Sequence, residues 1–313
     1  MKIVFMGTPD YAVKTLEKLI EAGHEILAVF AQPDKPVGRK HILTPPPVKV
    51  CALEHNIPIF QPQTLKDEET AELIKSFQPD FIVVVAYGKL LPENVLQIPK
   101  IACVNGHASL LPKYRGSAPI QWAIINGEKV TGITTMLMDK GMDTGDILEQ
   151  AEVQIGENET AEQLFDRLSV ISADLMVSTI EKLQKGEIVP IKQDESKATY
   201  APIIKKEMAL LDFNNKTAKE ICCAVRGYYS WPCAFFFLDN KRVKVISAKE
   251  NAKTNVKPST VIENSEKLVI SCKDGTSVEL IEISPEGSKP MTAKQFLCGK
   301  KTEIGTVIGE NND

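Results

Sequence analysis

Three side chains in this 313-residue sequence have the types and spacing for acyl-transfer chemistry: Asn105, His107 and Asp143. The triplet Asn105-Gly106-His107 closes Ile101-Ala102-Cys103-Val104, an apolar run that reads as a buried strand. Alternate residues of a strand share a face, so Asn105 and His107 point the same way. Asp143 sits in Lys140-Gly141-Met142-Asp143-Thr144-Gly145-Asp146, a glycine-bracketed loop after a second apolar run at 133–138. An amide can donate to a developing oxyanion, an imidazole can move a proton, and a carboxylate can orient or charge the imidazole. The plainer reading makes Asn105 a strand terminus, His107 a loop hydrogen-bond partner and Asp143 a turn cap. Spacing alone favours the plainer reading, and the surrounding sequence reverses it.

The elements that must position these groups alternate in type. Residues 2–6, 26–30, 81–85, 101–104 and 133–138 read as strands, and 11–22, 48–55, 70–77 and 119–126 as helices. Such alternation predicts an α/β fold, a doubly wound and mostly parallel sheet covered on both faces. Ligands of such sheets bind beyond the carboxyl ends of strands at a switch point. A long amphipathic helix at 160–183 closes this part of the chain. The turn Gly7-Thr8-Pro9-Asp10 carries no dinucleotide or triphosphate fingerprint and reads as a tight entry into a helix. Residues 32–47 hold five prolines and the cations Lys35, Arg39 and Lys40, and read as a long loop with a charged tip. Beyond 205 the pattern changes. A helix near 217–226 is followed by short strands at 234–238, 243–248, 261–263, 268–271 and 277–283, the pattern of a small β-barrel. The expected division is a catalytic domain at 1–188, a linker at 189–204 and a second domain at 205–313.

Composition sets further bounds. No run reaches the ~20 apolar residues of a membrane-spanning helix. Residues 1–7 read as a first strand rather than a signal peptide, so a cytoplasmic location is expected. The seven scattered cysteines fit reduced packing thiols, and the four histidines have no metal-ligand spacing, so no metal is expected. Net charge is −4, which argues against a globally basic nucleic-acid binder. From Lys205 onward, however, 17 basic and 14 acidic residues give +3, against −7 before it. A mildly basic second domain is compatible with a polyanionic partner.

The stretch Asn105-Gly106-His107-Ala108-Ser109-Leu110-Leu111-Pro112-Lys113-Tyr114-Arg115-Gly116-Ser117-Ala118-Pro119-Ile120-Gln121-Trp122 closely resembles the signature of folate-dependent formyltransferases. The wider resemblance is to the methionyl-tRNA formyltransferases of that superfamily. It includes Gly7-Thr8-Pro9-Asp10-Tyr11-Ala12, Gln32-Pro33-Asp34-Lys35-Pro36-Val37-Gly38-Arg39, Val84-Val85-Ala86-Tyr87-Gly88, Thr199-Tyr200-Ala201-Pro202, Arg226-Gly227-Tyr228 and Lys294-Gln295-Phe296-Leu297. The resemblance implies a Rossmann-like catalytic domain followed by an OB-like tRNA-binding domain. It implies 10-formyltetrahydrofolate as formyl donor, and as acceptor the α-amino group of methionine on initiator tRNA, for translation initiation. It makes Asn105, His107 and Asp143 catalytic, preferring Asp143 to Asp146. It places Ser109, Leu110, Leu111, Pro112, Val85, Tyr87 and Gly88 at the folate, and Lys35, Arg39 and Lys40 at the tRNA. A monomer is expected. His107 is open to three roles: base, acid or oxyanion stabiliser. Two positions depart from the family pattern. Gly106 replaces a usual aliphatic residue, which is expected to loosen the catalytic turn, and Tyr229-Ser230 stands where a proline is usual.

Three rivals share parts of this reading. A sugar-nucleotide N-formyltransferase has the same amide, imidazole and carboxylate but no need of the proline-rich basic loop. A formyl-folate hydrolase replaces the amine with water. A non-catalytic RNA-binding protein has no need of Asn105, His107 and Asp143 together.

Overall fold

Five apolar strands build a parallel sheet at the centre of the first part of the chain. They are seen in a computed structural model that describes residues 1–38, 41–299 and 302–308. The chain divides into two compact units. The first takes Met1–Pro119, Val130–Gln154 and Phe165–Pro202, and the second takes Ile120–Lys129, Ile155–Leu164 and the chain from Ile203. The sequence-based division puts 120–129 and 155–164 with the catalytic domain, whereas in the structure they lie in the second unit.

In chain order the first unit begins β1 (Lys2–Gly7), α1 (Asp10–Glu21), β2 (Glu25–Phe30), β3 (Lys35–Val37), β4 (Ile42–Thr44), α2 (Pro47–Glu54), β5 (Ile59–Phe60) and α3 (Glu68–Ser76). It continues through β6 (Phe81–Val85), α4 (Glu93–Leu96), β7 (Ala102–His107) and β8 (Arg115–Gly116). The chain then runs through α5 (Pro119–Ile125), which from Ile120 belongs to the second unit, and returns to the first with β9 (Val130–Leu137), β10 (Ile147–Gln154), most of α6 (Ala161–Lys185) and β11 (Tyr200–Ala201). The main sheet has the order β10-β9-β7-β6-β1-β2-β5. The strands β7, β6, β1, β2 and β5 are parallel, while β9 and β10 run antiparallel at one edge. The order reverses beside β1, which pairs with β2 on one side and β6 on the other. That places the switch point at the carboxyl ends of β1 and β6.

The residues themselves account for these elements. Every residue of β6, Phe81-Ile82-Val83-Val84-Val85, is buried, as a strand covered on both faces must be. Burying each such side chain contributes about 1.5–3 kcal/mol. One core cluster packs Val4, Met6, Phe30, Ile82, Val84 and Tyr87 with Ile74 of α3 and Cys103 of β7. Helix α3 starts at Asp67, whose carboxylate accepts from the Thr70 amide at 2.7 Å. Two sequence expectations change. The strand at 101–104 extends to His107, so the Asn105-Gly106-His107 triplet lies inside β7 rather than beyond it. The loop at 32–47 contains an antiparallel hairpin, β3 with β4.

The second unit holds α7 (Ala218–Gly227), β12 (Phe235–Leu238), β13 (Lys241–Asn251), β14 (Val261–Glu263), β15 (Leu268–Ser271), β16 (Ser277–Pro285), β17 (Met291–Thr292) and α8 (Ala293–Gly299). Its strands form one antiparallel sheet in the order β12-β13-β16-β15-β14, with β17 on β16. The long β13 is bulged near Ser247, which twists and bends it as an OB-like sheet requires. Helix α7 opens with a reciprocal capping box between Thr217 and Glu220. Gly227 fits where it does because a Cβ there would lie 2.4 Å from Ile125 Cγ1. Arg226 donates to the main-chain oxygen of Glu159 at 3.1 Å, joining the 155–164 segment to this unit.

Candidate active site

Strand β7 lies between β6 and β9, with Asn105 opposite Val84 and Met136, and His107 opposite Thr134. Asn105 and His107 therefore emerge on one face near the strand's carboxyl end. The Asn105 carboxamide is half-buried and makes no hydrogen bond within the described residues. Its two N–H donors are thus uncommitted. His107 is buried, and its Nε2 lies 2.9 Å from the main-chain oxygen of Tyr114. A carbonyl only accepts, so Nε2 carries the proton and Nδ1 faces the other way.

Asp143 is what Nδ1 faces, its Oδ2 at 3.6 Å. The same oxygen accepts from the Gly116 amide at 2.8 Å. Asp143 has φ 56, in the left-handed region that non-glycine residues seldom occupy. The Asp146 carboxylate makes no hydrogen bond or ion pair within the described residues. Of the two candidate carboxylates, the fold brings Asp143 to the imidazole. Gly145 allows the loop to close, since a Cβ there would meet Leu137 O at 1.7 Å.

The Tyr114 carbonyl and the Gly116 amide belong to one short segment, and a second segment holds it. Strand β8 pairs in parallel with β11, Arg115 opposite Tyr200 and Gly116 opposite Ala201. Gly116 has φ 116, and a Cβ there would lie 2.8 Å from Ala201 O, so only glycine fits. Arg115 between them is fully buried and forks onto Glu195, 2.8 Å to each oxygen. Hydrogen bonding to this guanidinium holds the Glu195 carboxyl below its usual range. Residues 189–204, expected as a linker, thus include a strap along the first unit. In the sequence Arg115 stands in the signature stretch without an evident role, and Gln193 and Glu195 stand in a polar stretch without periodicity. No local signal links residues some eighty positions apart.

The expected donor-site residues divide by where their side chains go. The side chains of Val85, Tyr87, Ser109 and Leu111 are buried. Tyr87 packs its ring into the core, and burial pushes its hydroxyl up to about 12. Its carbonyl accepts from Thr8 Oγ1 at 3.0 Å and Gln32 Nε2 at 3.1 Å, tying together the loops after β1, β2 and β6. Ser109 Oγ donates to Lys113 O at 2.6 Å, and Leu110 lies over Gly132. Pro112 is half-buried. Ala86 and Gly88, with φ 47 and 84, are exposed just beyond β6, the strand that pairs with Asn105's. Of the expected tRNA residues, Lys35 is exposed on β3, and Arg39 and Lys40 lie outside the described residues. Among the described residues, no group of three or more His, Cys, Asp or Glu side chains is placed to hold a metal, and no helix is long and apolar enough to cross a membrane.

An amide, an imidazole and a carboxylate gathered at the carboxyl ends of an open α/β sheet are the equipment of a group-transfer enzyme that handles a carbonyl carbon. Residues 1–180 match the formyl transferase family, and residues 203–301 match the formyl transferase C-terminal domain. The chain belongs to the formyltransferase family. It is 48% identical over 303 residues to a methionyl-tRNA formyltransferase of Thermodesulfovibrio yellowstonii, covering 97% of each chain. It is 49% identical over 313 residues to that of Clostridium novyi, covering 98% of this chain and 100% of the relative. A sugar 3N-formyl transferase crystallised with dTDP and 5-N-formyl-THF shares the fold. Its TM-score is 0.67 at 21% identity, over 92% of this chain and 99% of that one.

Proposed function

We propose that this chain transfers the formyl group of 10-formyltetrahydrofolate to the α-amino group of methionine on initiator tRNA. The carrying observation is near-full-length identity of 48–49% to methionyl-tRNA formyltransferases, and the three-residue site at β7 supplies the chemistry. The amine nitrogen attacks the formyl carbon, forming the new C–N bond and an oxyanion. The uncommitted amide of Asn105 donates to that oxygen. His107 Nδ1, with Nε2 engaged by Tyr114, accepts the proton the amine sheds. Asp143 balances the positive charge this places on the ring. The bond from carbon to folate N10 then breaks, and the proton passes from His107 to N10. The exposed residues Ala86 and Gly88, with the turn from Ser109 to Pro112, suit the hydrogen-bonding edge of a flat pterin. Lys35 on β3, the cations Arg39 and Lys40 that follow it in sequence, and the chain from Lys205 onward with its +3 balance are the surfaces for tRNA. The site of action is the cytoplasm, and the active species a monomer.

The test mixes the protein with the formyl donor and three separate acceptor pools: methionyl-tRNA, amino-sugar nucleotide, or buffer alone. Formyl is expected on the tRNA-bound methionine. Formylated sugar supports the rival transferase. Formate released at the same rate in buffer supports a hydrolase, and no donor turnover in any pool rejects catalysis.

A further inference from the structure

Asp143 sits in a backbone conformation that costs a non-glycine residue roughly 1–2 kcal/mol, so something must hold it. The side chain best placed to do so is Gln193. Its Nε2 donates to the main-chain oxygen of Asp143 at 2.8 Å and to that of Gly145 at 2.7 Å. Its Oε1 accepts from Arg115 Nε at 3.1 Å and Nη2 at 2.7 Å. Arg115 Nη1 and Nη2 also donate to Glu195, at 2.8 Å each. Anchors on both sides keep Gln193 in place. Ile191 exchanges main-chain bonds with Ile147 at 2.8 and 2.9 Å. On the other side Thr199 O accepts from the Arg115 amide at 2.8 Å. The chemistry of the tip is specific. A primary amide offers two donors and an acceptor on one plane, whereas glutamate lacks the donors and lysine the acceptor.

We infer that Gln193 is a positioning residue. It clamps both carbonyls of the 143–145 turn, and the buried Arg115 orients it, so that the Asp143 carboxylate is set against His107. The inference rests on the catalytic reading of His107 and Asp143 given above. Misplacing a reacting group by about an ångström costs up to roughly 100-fold in rate while leaving ligand binding surfaces in place.

Gln193→Met keeps the length of the side chain and removes its polar tip. The expected result is a kcat lower by roughly 10- to 100-fold, with KM for donor and acceptor within about twofold of wild type. The imidazole nitrogen resonances of His107, followed by NMR, should shift in the direction seen in Asp143→Asn, because the carboxylate's charge leaves the ring in both. Gln193→Asn, one methylene too short to span the gap, is read in the same way should the Met variant not fold. Wild-type kcat, or slowed turnover with unmoved His107 resonances, overturns the positioning role. Asp143→Asn separates the two levels. A fully active Asp143→Asn removes the site reading itself, whereas an inactive Asp143→Asn beside a fully active Gln193→Met removes only this inference.

Discussion

His107 Nε2 lies 2.9 Å from the main-chain oxygen of Tyr114, and that single contact fixes which nitrogen is free to work. With Nε2 committed as a donor, Nδ1 is the basic atom, and it faces Asp143 at 3.6 Å. In the proposed reaction this is the nitrogen placed to take the proton shed by an attacking amine. Nε2 donates in both the neutral and the protonated ring, so the roles open to His107 in the sequence all run through Nδ1.

Loss of either the amide or the imidazole should separate activity from stability. Asn105→Ala is expected to lower kcat by ~10²–10³ with an unchanged melting temperature, since its carboxamide is uncommitted. His107→Ala is expected to lower kcat by at least ~10² and stability by about 1 kcal/mol, for the bond to Tyr114. Steady-state kinetics and thermal melts check both. Near-wild-type turnover in either variant rules out this catalytic pair.

The two acidic residues of the 140–146 loop should behave differently. Asp143→Asn preserves shape but removes the charge beside His107, and a large fall in kcat is expected. Asp146→Asn is expected to be close to wild type, because its carboxylate makes no hydrogen bond or ion pair within the described residues. The reverse pattern, measured under saturating donor and acceptor, moves the catalytic carboxylate to Asp146.

Much of the scaffold is legible in the sequence itself. The unbroken apolar run at 81–85 and the amphipathic spacing of α1 and α6 are local signals, and local periodicity reports local structure. The β3–β4 hairpin escapes such a reading because the five prolines around it mask strand propensity. Strand β10 escapes it because its edge position leaves it polar on one face. Asn105 and His107 are legible from strand alternation and residue type, and Asp143 from the motif around it. Gln193 and Arg115 are not, because their meaning lies in a contact between distant segments. A buried arginine requires an acidic or amide partner, but sequence does not say which of many it meets.

Gly106, which the family pattern suggests would loosen a catalytic turn, has another role in the structure. It sits within regular strand, paired with Val85 and Thr135. A Cβ there would meet Met176 Cε and Ser172 Oγ, each at 3.2 Å. Helix α6 thus fills the space that a larger residue at 106 would need. Gly106→Val should cost about 1–3 kcal/mol by overpacking. Met176→Ala should also cost stability alone, by leaving a cavity. Combined, the two should cost less than their sum by at least about 0.5 kcal/mol, measured by urea unfolding. Strict additivity would show that the two side chains do not share this space.

Cys103 lies two residues before Asn105 on the same strand. It is buried, and burial pushes its thiol from an ordinary 9.0 up to about 12. The folded state therefore holds the neutral thiol over a pH range in which the unfolded chain ionises it. This contribution to stability is complete below about pH 9 and is lost as pH rises from about 9 towards about 12. The loss runs at up to about 1.4 kcal/mol per pH unit. Cys51, Cys222 and Cys272 are shifted the same way, so the whole protein should weaken in alkali. Cys103→Ala isolates one of these thiols. It should be less stable than wild type at about pH 8, because it leaves a small cavity. By about pH 10.5 the gap should have closed by up to about 2 kcal/mol, since the variant has one fewer thiol to ionise on unfolding. Urea unfolding in reductant at the two pH values measures the gap. A gap that stays constant would mean that the Cys103 thiol titrates alike in the folded and unfolded chain, and that strand β7 is open to water at that position.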